Sequence, residues 1–282
     1  NRDWQRLFGE GLVKSTEEFG TQGDWPSHPD LLNWLAVQFV KIGWDQKELI
    51  KLIVTSATYR QDSRASAPLI ARDPDNRLLA RGPRHRLDAE VIRDNALAVS
   101  GLLLHKIGGP SVYPYHPKGL WLELNNRPGL SRPYPHGKGE ALFRRSLYTY
   151  WKRTVPPPSM ATFDAPEREF CLVRRSRTNT PLQAFVLLHD PQFIEAARHL
   201  AAKMMAAAKD PKARIAHGFR LCVARAPSAP EHAVLMSLFK KAKLYYQANA
   251  TEAKAFGGNP EASAWTATAR VLLNLDEFIT RE

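Results

Sequence analysis

The chain has 282 residues, with 40 Lys and Arg against 28 Asp and Glu, a formal net charge of +12. Hydrophobic residues at 44% and aromatics at 10% exclude wholesale disorder, and a chain of this length buries enough surface to hold a core without covalent or metal staples. Two cysteines, Cys171 and Cys222, exclude a disulfide scaffold, a four-cysteine zinc site and a c-type haem attachment motif.

In chain order, the first strong signal is Ser27-His28-Pro29-Asp30, a capping residue ahead of a proline and an acid. Leu31, Leu35, Phe39 and Ile42 follow at helical spacing, and Gly43 stops the pattern. Asp45 then caps a second helix with Leu49, Leu52, Ile53 and Ala57 on its apolar face. A third is predicted over 88–100, with Val91, Ile92, Asn95 and Val99 near one face.

Residues 108–139 break the pattern. Twelve of these 32 positions are Gly or Pro, which forbids regular helix. Yet Tyr113, Tyr115, Trp121 and Tyr134 are too many rings for a solvated linker, so an ordered surface loop is expected. The aromatic run Ser146-Leu147-Tyr148-Thr149-Tyr150-Trp151 and the segment 169–173 read as two short strands of an antiparallel pair.

Beyond residue 180 the helical signals return. Thr180-Pro181, Asp190-Pro191, Asp210-Pro211 and Asn259-Pro260 each place a capping side chain before a proline at the first helical position. Ser228 with Glu231 forms a capping box, followed by a packing stripe of Val234, Leu235, Leu238, Phe239, Ala242 and Tyr245. The fold class is therefore mainly α, multi-helical, with a small antiparallel β insertion and a long Gly/Pro-rich ordered loop. The expected organisation is an N-terminal helical part over 1–107, the loop and Arg/aromatic segment over 108–179, and a C-terminal helical part over 180–282. These read as one integrated domain. The chain opens at Asn1 without a signal-peptide pattern, so a segment of a longer protein is expected.

The chemical motifs are mostly negative. There is no dinucleotide fingerprint, phosphate loop, zinc-protease helix or nucleophile elbow. The nine histidines never fall three to five residues apart, so no local metal pair is present and no metal site is predicted. His116 and His136 stand out because they lie in the aromatic loop. Both cysteines are expected to be buried thiols. No stretch approaches a membrane span.

The densest charge feature is 144–177, where eight basic residues face three acidic ones, a net of +5. Arg144, Arg145, Arg153, Arg168, Arg174, Arg175 and Arg177, with Tyr148 and Trp151, form the candidate ligand-binding set. Guanidinium forks bind carboxylate, sulfate or phosphate, and aromatic faces stack on rings. The competing structural reading pairs these arginines with Asp164, Glu167 and Glu169 in an internal network. Asp164 is the candidate catalytic residue: either a loop-organising cap or a general base, with Glu123, Glu167 or a histidine as its partner in carbohydrate chemistry. Nucleic-acid binding rests on net charge alone and is the least supported reading.

Several strings together resemble one family: Asn1-Arg2-Asp3-Trp4-Gln5-Arg6-Leu7-Phe8-Gly9, Leu52-Ile53-Val54-Thr55-Ser56-Ala57-Thr58-Tyr59-Arg60-Gln61, Arg145-Ser146-Leu147-Tyr148-Thr149-Tyr150-Trp151-Lys152-Arg153 and Arg177-Thr178-Asn179-Thr180-Pro181-Leu182-Gln183-Ala184. They are similar to the planctomycete domain of unknown function fifteen-fifty-three, and His189 departs from the usual Asn. The resemblance implies the closing domain of an exported, extracytoplasmic or periplasmic protein that also carries a partner domain and often a c-type cytochrome. It therefore implies haem only in a neighbouring domain, no cofactor in this segment and a link to polysaccharide. It transfers no catalytic residues. The expected role is a non-catalytic binding or scaffold module, with an anionic polysaccharide as ligand and neighbouring domains as partners; the alternative is a carbohydrate-active enzyme.

Overall fold

The structure, a computed structural model, describes residues 1–123 and 133–281. The expected loop over 108–139 is therefore described on both sides of 124–132, which lie outside the described residues. In chain order the helices are α1 (Arg2–Phe8), α2 (Pro29–Lys41), α3 (Gln46–Val54), α4 (Ala67–Arg72), α5 (Ala89–Ser100), α6 (Leu120–Glu123) and α7 (Pro158–Thr162). Then follow α8 (Pro181–His189), α9 (Pro191–Ala207), α10 (Pro211–Val223), α11 (Ala229–Ala248), α12 (Ala250–Phe256), α13 (Pro260–Leu272) and α14 (Asp276–Ile279). β1 (His85–Arg86) pairs antiparallel with β2 (Thr280–Arg281), His85 opposite Arg281. The chain is thus mainly α with one small sheet among the described residues.

The proline-led helix starts follow from capping chemistry. Asp45 accepts from the N–H groups of Lys47 and Glu48, Asp190 from Gln192, Asp210 from Ala213 and Asn259 from Ala262. The Glu231 carboxylate accepts from both the Ser228 N–H and its hydroxyl, each at 2.7 Å. Two caps differ from expectation. His28, not Ser27, precedes α2, and neither His28 nor Thr180 makes a side-chain cap bond.

The chain divides into two compact units. The first comprises 1–86, 172–174 and 280–282, of which residue 282 lies outside the described set. Its core is Trp4, Phe8, Leu12, Leu49 and Ile53, backed by Leu31, Leu35 and Phe39 from the inner face of α2. Trp4 and Phe8, four residues apart on α1, stack with centroids 4.1 Å apart.

The second unit comprises 87–171 and 175–279. Helix α9 runs through its core and buries Phe193, Ala196, Ala197, Leu200, Ala201 and Met204. Its alanines let α13 approach closely, and α13 contributes Ala264, Trp265, Ala269 and Leu272. Phe239 of α11 stacks on Trp265 at 4.0 Å. Each large side chain buried this way contributes about 1.5–3 kcal/mol. Cys222 is buried there, its thiol pushed up to about 12 by burial, whereas Cys171 is exposed, contrary to expectation.

The expected strand pair at 146–151 and 169–173 is not formed. Ser146–Tyr148 is a 3-10 turn, Thr149 makes an isolated parallel bridge with Val112, and 169–173 is exposed chain outside any strand. The reason lies in the backbone bonds. The Ser146 N–H donates to Asp94 Oδ1 and the Arg144 carbonyl accepts from Arg93, so groups a ladder would use are already bonded to α5.

Candidate binding surface

The second unit is organised around a buried cation that sequence reasoning missed. Arg93, on the inner face of α5, is 3% exposed. Its Nε donates to Gln192 Oε1 at 2.8 Å, Nη1 to the Arg144 carbonyl and to Ser146 Oγ, and Nη2 to the Leu142 carbonyl at 2.7 Å. Asp94 lies 3.6 Å from Nη1 and also accepts from the Ser146 N–H and hydroxyl. Burial lowers the Arg93 pKa while Asp94 and Asp190 oppose that shift. The fork of donors ties 142–146 to α5 and to the start of α9, fixing the chain that carries the aromatic run.

Arg144 extends this frame. It is 5% exposed, and its Nη atoms donate to the carbonyls of Lys106, Gly108 and Pro110 while its plane lies 3.7 Å from the Tyr148 ring centroid. The Tyr148 hydroxyl in turn accepts from the Gly108 N–H at 2.8 Å. Arg144 and Tyr148 thus hold the start of the Gly/Pro loop. The expectation of a solvated guanidinium does not hold for Arg144, because loop carbonyls without helical partners are satisfied by it instead.

From there the loop lays its rings on the aromatic run. Val112 donates to the Tyr148 carbonyl and Tyr150 to the Val112 carbonyl, both at 2.8 Å, which sets Tyr113 against Tyr150 in a stack at 4.8 Å. The Gly137 N–H donates to the Tyr113 carbonyl, and a Cβ at Gly137 would lie 2.8 Å from that oxygen, so this approach requires glycine. Tyr134 meets Tyr113 edge-on, stacks with His116 at 4.5 Å and abuts Trp121 at 5.1 Å. Its hydroxyl donates to the Pro114 carbonyl, and burial raises its pKa. Tyr115 donates to Glu195 at 2.5 Å; burial and that bond push the phenol up to about 12. The Lys152 ammonium sits 4.5 Å above Trp121.

Most of this cluster is internal packing, with Trp121 only 9% exposed. The Tyr150 ring is its open edge at 38%, and Leu147 nearby in sequence is 69% exposed. His116 Nε2 and Trp121 Nε1 have no hydrogen-bond partner among the described residues, and burial lowers the His116 pKa, keeping the imidazole neutral near pH 7.

The remaining arginines separate into three kinds. Arg145 and Arg153 are exposed and have no ion-pair partner among the described residues, Arg153 within the turn closed by Lys152 and Val155. Arg175 grips Glu90 through two bonds at 2.7 and 3.2 Å, with Asp88 at 3.6 Å, while Arg174 belongs to the first unit and pairs with Glu10 at 3.0 Å. Arg168 is exposed with its guanidinium 4.7 Å from the Trp151 ring, whose Nε1 donates to the Glu167 carbonyl; Arg177 is exposed. At Glu90, burial would raise the carboxyl pKa, but the bonds from Arg175 prevail and hold it below the usual range.

Asp164 has a backbone φ of 58°. Both its oxygens accept from the Thr178 hydroxyl, and Oδ2 also accepts from the Thr178 N–H at 2.8 Å. It organises the turn after α7 and pins the approach to α8. No group of three or more metal-ligating side chains is present among the described residues, and no described helix is long and apolar enough to cross a membrane.

The fold and its surface define a helical domain with a cation-decorated aromatic cluster held on a buried arginine clamp. The family described as PSD1, protein of unknown function (DUF1553), matches residues 1–239. The chain belongs to that family. No curated protein and no solved structure matches the chain.

Proposed function

We propose that the chain is a non-catalytic binding module of a longer exported protein, and that it holds an anionic polysaccharide along Tyr150, Lys152, Arg145 and Arg153. The observation that carries this reading is the exposed Tyr150 ring, backed by Tyr113 and Trp121 and flanked by the Lys152 ammonium. A rigid aromatic face beside cations suits a sugar ring bearing sulfate or carboxylate, since the ring gains apolar contact while the charges meet the anion. Arg145 and Arg153 support it further, because neither is paired with a carboxylate among the described residues. The family resemblance supports an extracytoplasmic setting with neighbouring domains, a c-type cytochrome among them, as partners.

Retention of the purified chain in native gels cast with a sulfated or uronic polysaccharide tests the reading. Arg145→Ser with Arg153→Ser is expected to abolish most retardation, and Tyr150→Ala to weaken it at unchanged net charge. Unaltered migration of both variants, or equal retardation by a neutral glucan, refutes it.

A further inference from the structure

A second surface of the same unit is lined by residues other than those proposed above to bind polysaccharide. Helices α10 and α11, with the connection between them, enclose a shallow, open groove of about 1120 Å³. Its lining is chiefly apolar: Ala213 and Ala216 come from α10, Ala233 and Met236 from α11, and Ala226 and Pro227 from the connection. Small side chains on both helices leave a trough where larger ones would fill the space. Leu244 closes one end and is 68% exposed. An apolar trough open to solvent is what a partner segment covers.

The rim has one dominant sign. Lys212 stands on the α10 side and Lys240 and Lys241 on α11, and none has an ion-pair partner among the described residues. Among the described lining residues the one carboxylate, Asp210, is engaged by the Ala213 N–H at the start of α10. His232 contacts the Lys212 carbonyl through Nε2 at 3.4 Å. The α11 lining extends from Ala229 to Leu244, about 22 Å at 1.5 Å per residue, which matches a partner helix of about fifteen residues.

We infer that this groove docks an amphipathic helical segment of a partner protein, apolar on one face and carrying Asp or Glu on its flanks. The apolar floor selects against a polysaccharide or nucleic acid, whose polar groups would lose water there without replacement bonds. The open, elongated form suits a helix laid in a groove, with Met236 adapting to the incoming side chains. The lysines on both sides then set the charge of the flanks and speed encounter.

The test uses the full chain and a fluorescent fifteen-residue helical peptide with leucines at i, i+3, i+4 and i+7 and glutamates beside them. A second peptide carries lysines in place of the glutamates. Anisotropy is expected to give micromolar binding of the acidic peptide and at least tenfold weaker binding of the basic one. Lys212→Glu with Lys240→Glu is expected to reverse that preference, and Ala233→Trp to remove binding of both. These positions are exposed, and an unchanged melting curve verifies folding. The chain has four methionines, and in a methyl spectrum the Met236 signal is expected to shift with the acidic peptide while those of buried Met160 and Met204 stay in place. Absence of binding at 100-fold the expected Kd (about 100 μM or more), indifference to the charge reversal, or equal binding to anionic lipid vesicles overturns the proposal.

Discussion

Replacing Arg93 with methionine keeps most of the stem volume and deletes the guanidinium that joins α5, 142–146 and α9. Four bonds are lost, and the Gln192 amide oxygen and the carbonyls of Leu142 and Arg144 lose a donor in a dry interior. Each stranded acceptor costs about 1–3 kcal/mol. Relaxation and the removal of a costly buried charge offset part of the sum, so a net loss of about 3–5 kcal/mol is expected, the range for breaking a buried ionic contact. At about 2–4 °C per kcal/mol for a chain of this size, the melting temperature should fall by roughly 10 °C. Urea denaturation followed by circular dichroism measures the loss. Arg93→Lys, which keeps charge but not the fork, should recover less than half of it. A double-mutant cycle with Asp94→Asn should show coupling above about 1 kcal/mol, since the two residues converge on Ser146. A loss below 1 kcal/mol for the methionine variant at unchanged denaturant slope would refute the clamp.

Three further outcomes follow from the same bonding. Glu90→Gln should cost about 1–2 kcal/mol, between exposed and buried ion pairs; because the Glu90 pKa is lowered in the folded state, its contribution is complete above the ordinary carboxylate range and fades as pH falls through it, so parent and variant melting temperatures should converge in acid. Glu231 is held at about 2 by bonds from Arg225 and Ser228, so Glu231→Gln should lose about 1 kcal/mol at pH 7, a difference that shrinks between pH 4.5 and 2 in thermal melts. Gly137→Ala drives a methyl against the Tyr113 carbonyl and should cost about 1–3 kcal/mol, with a changed near-ultraviolet dichroism from the disturbed ring cluster.

Helix starts were legible because a cap is a local bargain between one side chain and the next few N–H groups. Asp45, Asp190, Asp210, Asn259 and the Ser228–Glu231 box all act within four residues of themselves. Helix faces were less so. The periodicity of α5 places Val91 beside Ile92, yet Val91 is 47% exposed and the buried face is Ala89, Ile92, Arg93, Ala96 and Leu97. An arginine amid alanine and leucine on that face was the available signal, and it is read as a core residue only if distant acceptors are known. On α11, Leu235 and Phe239 are buried as the stripe predicts, but Val234 and Tyr245 stay exposed at its margins.

The aromatic run illustrates the limit more sharply. Ring-rich, β-branched composition favours a strand only when a neighbour offers a ladder, and here Asp94 and Arg93 take those backbone groups first. Likewise, eight basic residues within 34 looked alike by composition, but partners from 34 to 164 residues away separate them: Glu90 for Arg175, Glu10 for Arg174, loop carbonyls for Arg144. By itself the sequence determined the helical class, where most of the helices begin and which segment concentrates charge and rings, all properties of neighbours along the chain. Which cations are spent on the fold and which face solvent was decided by tertiary structure alone, because a guanidinium is satisfied by acceptors whose place depends on how every other element packs.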